Sequence, residues 1–267
     1  VSGVLCTIGV AVVVTGGMKR IAGLTEKLVP FMAVLYLGGA IGVLFVFRKE
    51  IPGAFALIFS EAFGLRQAAG GVAGYGVGQA VRMGIARGIF SNEAGLGSSV
   101  MAHAQSDVKE PEIQGMWGIL EIFIDTMVVC TITALVILVS GVYEPEVFQN
   151  HIANGLEAID GTTLTGMAFG RVIPYGEQIL AISTVLFAFA TIVGWSYFGE
   201  QTAYYLGKEK GAQTYRLVYS LLTLPGCMLA PQMIWELSDV LNGMMAIPNL
   251  IALFFLGKQV QYGKRKT

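Results

Sequence analysis

The chain has 267 residues, of which 54% are hydrophobic and 13% are charged, and its formal net charge at pH 7 is −1. Soluble globular domains carry roughly 25% charged residues, so this composition excludes an ordinary soluble domain and indicates a membrane protein. The net charge near zero gives no indication of nucleic-acid binding. Cys6, Cys130 and Cys227 all lie in apolar runs, where a thiol behaves as a small hydrophobic group, and they predict neither a disulfide framework nor a metal cluster.

Seven apolar segments are predicted to cross the membrane as helices of a single domain, 1–267. A bilayer core about 30 Å thick requires about 20 apolar residues, and two of the segments meet that length without a charged residue. In chain order the predicted spans are 1–17, 28–47, 72–101, 116–141, 179–199, 215–230 and 240–257. The first span has neither an initiator Met nor a basic leader. We therefore expect amino-terminal helices that a complete site needs to be missing.

The distribution of Lys and Arg predicts the orientation of a multi-pass protein in the cell membrane. With seven spans, one side carries eleven of these residues and the other carries four. The positive-inside rule then places the carboxyl terminus in the cytoplasm. The eleven are Lys19, Arg20, Lys27, Lys109, Lys208, Lys210, Arg216, Lys258, Lys264, Arg265 and Lys266, and the four are Arg48, Lys49, Arg66 and Arg171. Segment 51–65 is too short to cross, and an interfacial helix is expected there.

The third predicted span does not read as a helix that faces lipid. Its sequence, VAGYGVGQAVRMGIARGIFSNEAGLGSSVM, contains seven glycines and three charged residues. Backbone that is not helical at membrane depth is tolerated only where protein or a water-filled cavity satisfies its polar groups. Interrupted apolar segments of this kind indicate the binding site of a transporter.

Two interpretations of this segment stay open. In the first, Ser91, Asn92 and Ser98 supply polar groups to a ligand, because intramembrane polar and charged groups are costly and usually functional. In the second, the glycines only allow close helix packing, and Glu93 pairs with Arg87 as a buried structural ion pair.

Two separated motifs resemble those of the alanine/glycine:cation symporter family, also called sodium:alanine symporters. GIARGIFSNEAGLGSSVMAHA (84–104) is similar to the family's FSNEAG(L/M)GS run followed by AHA, and LFAFATIVGWSYFGEQ (186–201) is similar to its FAF(S)T-x-x-GWSY-x-GE. The resemblance implies an all-α polytopic secondary transporter built from two inverted five-helix repeats, with core helices four to ten present here. It also implies symport of alanine or glycine with Na⁺, or sometimes H⁺, by alternating access, without an enzyme cofactor or another metal.

The resemblance also implies roles for individual residues. The unwound centre of core helix six would bind the substrate through Phe90, Ser91, Asn92, Gly95 and Gly97, and Arg87 and Glu93 would have structural or gating roles. In core helix eight, Trp195 would limit the size of the substrate side chain, and the hydroxyl of Thr191, one turn earlier, would face a sodium ion. Ala190 stands where the family often has Ser, which leaves the choice between Na⁺ and H⁺ open.

Other interpretations remain. Trp195 could be an interfacial anchor, and Thr191 could bond back to its own helix. Glu121 and Asp125 share one helix face and could form a paired-carboxylate catalyst or a proton relay, or they could have a structural role by pairing with an Arg of the interrupted span. At the level of function, the alternatives are the same fold moving another small amino acid or amine with H⁺, and a channel with a glycine-rich filter. Ser91, Glu93 and His103 do not form a recognisable enzymatic arrangement.

Overall fold

The computed structural model describes residues 2–62, 73–91, 93, 95–143 and 160–257, and within these ranges the chain is helical and contains no β-strand. The described helices are α1 (Ser2–Val14), α2 (Gly17–Val46), α3 (Ile51–Ala62), α4 (Ala73–Ser91), α5 (Ser99–His103), α6 (Pro111–Ile122), a π-helical turn (Phe123–Val129), α7 (Cys130–Val139), α8 (Gly161–Gly170), α9 (Gly176–Gly226) and α10 (Pro231–Leu256).

Four helical stretches in the described part of the chain are long and apolar enough to cross a membrane, namely Lys19–Val46, Pro111–Val139, Gly176–Gly226 and Met233–Leu256. They are consistent with the membrane protein that the composition indicates. The predicted span 179–199 falls within α9 and the span 215–230 overlaps it as far as Gly226, whereas α1 has only 13 residues. The arrangement of seven spans in one domain stays a prediction.

The chain divides into two compact units, which we describe separately. The first comprises Val1–Ala22, Met83–Met127 and Ile192–Thr267, and the second comprises Gly23–Arg82 and Val128–Thr191.

In the first unit, the carboxyl-terminal part of α9 folds back as an antiparallel helical hairpin. The helical backbone is broken at Lys208, which has φ 54° and ψ −145°. Across the hairpin, Nη2 of Arg216 lies 2.5 Å from Oε1 of the buried Glu200. The hydroxyl of Tyr219 donates to the carbonyl of Ile192 at 2.7 Å. The break at Lys208 therefore separates two helices that pack against each other along their length.

The core of the second unit forms around Phe169, which is fully buried in α8. Its ring lies against Gly39 of α2, where a Cβ atom would come within 2.2 Å of Cε1. Tyr36, one turn earlier in α2, stacks on the same ring at a centroid distance of 6.0 Å and hydrogen-bonds to Thr133 of α7. Ala54 of α3 also packs on α7. The expected interfacial segment 51–65 is thus helical to Ala62, and it uses part of its apolar face for packing.

Candidate functional site

The predicted interruption within segment 72–101 is confirmed, whereas its crossing of the membrane stays a prediction. Helix α4 ends at Ser91 and α5 begins at Ser99, and between them Glu93, Gly95 and Gly97 have φ values of 55°, 83° and 84°. Residues with side chains seldom adopt such left-handed backbone, whereas glycine does so readily. One turn is closed by the amide of Leu96, which donates to the carbonyl of Glu93 at 3.1 Å. We call the segment from 92 to 98 the break.

A side chain of α10 holds the break in this conformation. Nδ2 of Asn249 donates to the carbonyl of Gly95 at 3.0 Å. The amide of Asn249 also lies so close to Gly97 that a Cβ atom there would be 2.7 Å from Oδ1. Glycine is therefore favoured at both positions by the positive φ, and at Gly97 also by the lack of space for a Cβ atom. Sequence reasoning missed Asn249, although an amide directly after Pro248 in an apolar helix was an available signal.

Glu93 is bound within the break itself. The hydroxyl of the buried Ser98 donates to Oε2 of Glu93 at 2.6 Å. The alternative prediction of an ion pair between Glu93 and Arg87 is wrong. Helix α4 ends between the two residues, and the carboxylate of Glu93, on left-handed backbone, binds Ser98 instead.

Arg87 pairs with α10 rather than with the break. Its guanidinium donates from Nη1 and Nη2 to the two carboxylate oxygens of Asp239 at 3.1 and 3.0 Å. The same guanidinium lies 4.8 Å from the ring centroid of Trp235, close enough for a cation–π interaction. Phe90 contacts that indole edge to face at 5.8 Å. The predicted structural role of Arg87 is consistent with these contacts to α10, but its partners Asp239 and Trp235 were not identified from sequence.

The remaining polar residue at the end of α4 contacts the π-helical turn. The exposed Ser91 donates from Oγ to Oδ2 of Asp125 at 2.7 Å. Asn92, the other predicted polar ligand, lies outside the described residues.

A second polar cluster joins α5 to α6, the helix that precedes the π-helical turn. Nδ1 of His103 lies 2.8 Å from Nε2 of Gln114, and its Nε2 lies 3.6 Å from Oε2 of Glu121. Asp125, one turn beyond Glu121, bonds to Ser91 instead. The two carboxylates that share this helix face therefore have different partners, and within the described residues neither partner is an Arg.

Thr191 and Trp195 both lie on α9, one turn apart as their spacing predicts. Thr191 is exposed, and its hydroxyl forms no hydrogen bond to another described residue, in contrast to Ser183, which bonds back to Ile179. Trp195 is half-buried and contacts Phe198 edge to face at 5.8 Å. Ala190 is buried. These positions leave an ion-binding role for Thr191 and a substrate-binding role for Trp195 as predictions.

Comparison with known proteins identifies the family. The model of the sodium:alanine symporter family matches residues 1–265. The sodium/alanine symporter AgcS of Methanococcus maripaludis is 39% identical over 258 residues, 96% of this chain and 54% of its own length. The probable sodium/glutamine symporter GlnT of Bacillus subtilis is 38% identical over 250 residues, 93% of this chain and 49% of its own. The sodium/proton-dependent alanine carrier protein of Bacillus sp. PS3 is 34% identical over 266 residues, 97% and 59%.

The chain thus spans about half the length of the curated relatives it matches. The family match extends over almost all of it and includes the regions of both motifs. The family predicted from those motifs is therefore confirmed, and this is a family of transporters. The chain belongs to the sodium:alanine symporter family.

Proposed function

We propose that this chain contributes to secondary active symport of a small neutral amino acid, alanine or glycine, with Na⁺ across the cytoplasmic membrane by alternating access. The observation that carries the proposal is the break between α4 and α5, where residues with positive φ interrupt an apolar helix. Such breaks free backbone groups to bind a polar substrate at membrane depth. Two relatives are named as alanine transporters, and this supports the substrate class.

The proposed architecture is the two-fold inverted repeat of five helices, with the seven predicted spans as core helices four to ten and a cytoplasmic carboxyl terminus. The break is then the centre of core helix six. Phe90, Ser91 and Asn92 contribute to the substrate site there. Gly95 and Gly97 act through the backbone conformation, since the Gly95 carbonyl already accepts a hydrogen bond from Asn249.

On α9, Trp195 limits the size of the substrate side chain and Thr191 offers its hydroxyl oxygen to Na⁺. A free hydroxyl suits this role, because hard cations take oxygen ligands. Inward movement of one sodium charge releases about 2.3 kcal/mol per 100 mV of membrane potential. That energy drives the amino acid against its gradient, and no covalent chemistry is involved.

Proton coupling is the second candidate. Ala190 is buried beside Thr191 and offers no second hydroxyl, and the relative from Bacillus sp. PS3 is named as sodium/proton-dependent. With fewer oxygen ligands for Na⁺, H⁺ could serve as the coupling ion in the same fold.

The test is uptake of labelled alanine into proteoliposomes containing the full-length protein, under an inward Na⁺ gradient and, separately, under an H⁺ gradient alone. Trp195→Ala and Asn92→Ala are compared with Trp117→Ala, a matched control in α6 whose indole is 58% exposed. We expect accumulation that depends on Na⁺, is lost in the first two variants and is kept in the control.

Accumulation driven by H⁺ alone would overturn the ion assignment. Uptake of glutamine without uptake of alanine would overturn the substrate assignment. Alanine flux that only equilibrates, without coupling to either ion, would favour a channel.

A further inference from the structure

Two of the cysteines lie against each other in the first unit. Cys6 is part of α1, and Cys227 is the first residue after α9. Both are free thiols, and their side chains are joined by a hydrogen bond. The sequence does not reveal this pair, because the two residues are far apart in the chain and each lies in an apolar run. Packing of α1 against the end of α9 brings them together.

Gly3 allows the end of α9 to approach α1 closely. A Cβ atom at Gly3 would lie 3.0 Å from Cβ and 3.8 Å from Sγ of Cys227, and 4.0 Å from Cδ1 of Leu224. Small residues of this kind let helices in membranes pack at short distances. Cys6 comes three residues after Gly3, and residues at this spacing lie on the same face of a helix. The side chain of Cys227 therefore meets α1 on the face that carries Cys6.

Hydrogen-bonded backbone carries both cysteines. The amide of Cys227 donates to the carbonyls of Thr223 and Leu224 at 3.1 and 3.2 Å, which closes the last turn of α9. Cys6 lies within the regular helix α1. The two thiols are thus presented to each other by ordered backbone, and a covalent bond requires the sulfur atoms to close from hydrogen-bonding contact to about 2.05 Å.

We propose that Cys6 and Cys227 form a site of reversible oxidation, at which a disulfide joins α1 to the turn between α9 and α10. In the predicted orientation, Cys6 follows the outer start of span 1–17, and Cys227 precedes the outer end of span 215–230. Both thiols then lie toward the outer side of the membrane, where disulfides form and persist.

The disulfide would constrain the helix that contacts the break. Helix α10 begins at Pro231, four residues after Cys227. The same helix carries Asn249, which donates to the carbonyl of Gly95. A covalent bond from α1 to Cys227 therefore restrains the start of α10 relative to α1.

The oxidant in this reaction is a peroxide. The sulfur of one thiol attacks a peroxide oxygen, the O–O bond breaks, and a sulfenic acid and one water are formed. The sulfur of the second thiol then attacks the sulfenic sulfur, the S–S bond forms, the S–O bond breaks, and a second water carries away the remaining thiol proton. Two electrons pass from the two sulfur atoms to hydrogen peroxide, which becomes two waters. A dithiol reductant reverses the change by thiol–disulfide exchange.

The test is peptide mapping of the full-length protein after treatment of its membranes with hydrogen peroxide. Remaining thiols are alkylated with N-ethylmaleimide, the protein is digested, and cross-linked peptides are identified by mass spectrometry. Cys6→Ser and Cys227→Ser each remove one sulfur. Cys130→Ser is the matched control, because Cys130 lies on α7 in the second unit.

We expect oxidised wild type to yield one peptide pair that joins Cys6 to Cys227, with the mass of two hydrogen atoms lost. Dithiothreitol should restore both thiols. The cross-linked pair should be lost in Cys6→Ser and in Cys227→Ser, with the remaining cysteine recovered in its alkylated form, and it should be kept in Cys130→Ser. Should a variant fail to fold, mapping of the wild type tests the site by itself.

Alkylation of both Cys6 and Cys227 after peroxide treatment would overturn the proposal. Conversion of either residue to a sulfinic acid without a cross-link would also overturn it, as would a disulfide from either one to a different cysteine. The inference does not depend on the proposed function, because mapping needs no transport.

Discussion

Gly97→Ala is the most direct test of how the break is held. At φ 84° the new side chain would occupy left-handed backbone, which costs roughly 1–2 kcal/mol. Its Cβ atom would also lie 2.7 Å from Oδ1 and 2.9 Å from Cγ of Asn249. Asn249 must then move and lose its hydrogen bond to Gly95, which costs about 0.5–1.5 kcal/mol more. We therefore expect a destabilisation of about 2–3 kcal/mol.

The assay is thermal unfolding of the purified protein, followed by alanine uptake. A loss of about 2 kcal/mol lowers Tm by about 4–8 °C in a protein of this size. The matched control is Gly84→Ala in the interior of α4, where a Cβ atom would meet nothing within 4 Å, and there alanine should be neutral or stabilising by up to about 1 kcal/mol. Equal Tm and equal uptake for the two variants would refute the reasoning, because Asn249 would then yield without cost.

Three further predictions concern stability and transport. Arg216→Met leaves the buried Glu200 carboxylate unpaired and should cost about 3–5 kcal/mol, whereas adding Glu200→Gln should recover part of the loss; a wild-type Tm for the single variant would contradict this. Phe169→Ala should cost about 3–5 kcal/mol, because the ring is fully buried, and Tm measures it against Phe169→Leu. Asn249→Asp places an acceptor against the Gly95 carbonyl and should cost about 1–3 kcal/mol and reduce alanine uptake; full uptake would show that the hydrogen bond is dispensable.

The break was predictable because its signal is local. Glycines and charged residues inside an apolar run conflict with a lipid-facing helix whatever lies around them. The end of α4 at Ser91 and the positive φ values at Gly95 and Gly97 follow from that conflict.

The partners of the break were not predictable, because they depend on which helices pack together. Arg87 has a carboxylate six residues away in sequence at Glu93, yet it binds Asp239, which lies 152 residues away. Nothing in the local pattern distinguishes these two carboxylates. Only packing of α4 against α10 brings Asp239 and Asn249 to the positions they occupy.

The π-helical turn was missed for a different reason. Apolar periodicity barely changes when one extra residue is inserted into a turn, so the segment Phe123–Val129 reads as ordinary helix in the sequence. The interruption of α9 at Lys208, by contrast, lies between the predicted spans 179–199 and 215–230, where the sequence already indicates a connection.

Helix α10 contacts the interrupted segment at two points, and these contacts constrain the number of residues between them. Asp239 and Asn249 are ten residues apart, about 15 Å along a helix. Asp239 contacts Arg87, before the end of α4 at Ser91, and Asn249 contacts Gly95, after it. Deleting one residue between them would rotate one contact by about 100° relative to the other. Between Asp239 and Asn249, substitutions in α10 are therefore compatible with both contacts, whereas insertions and deletions are not.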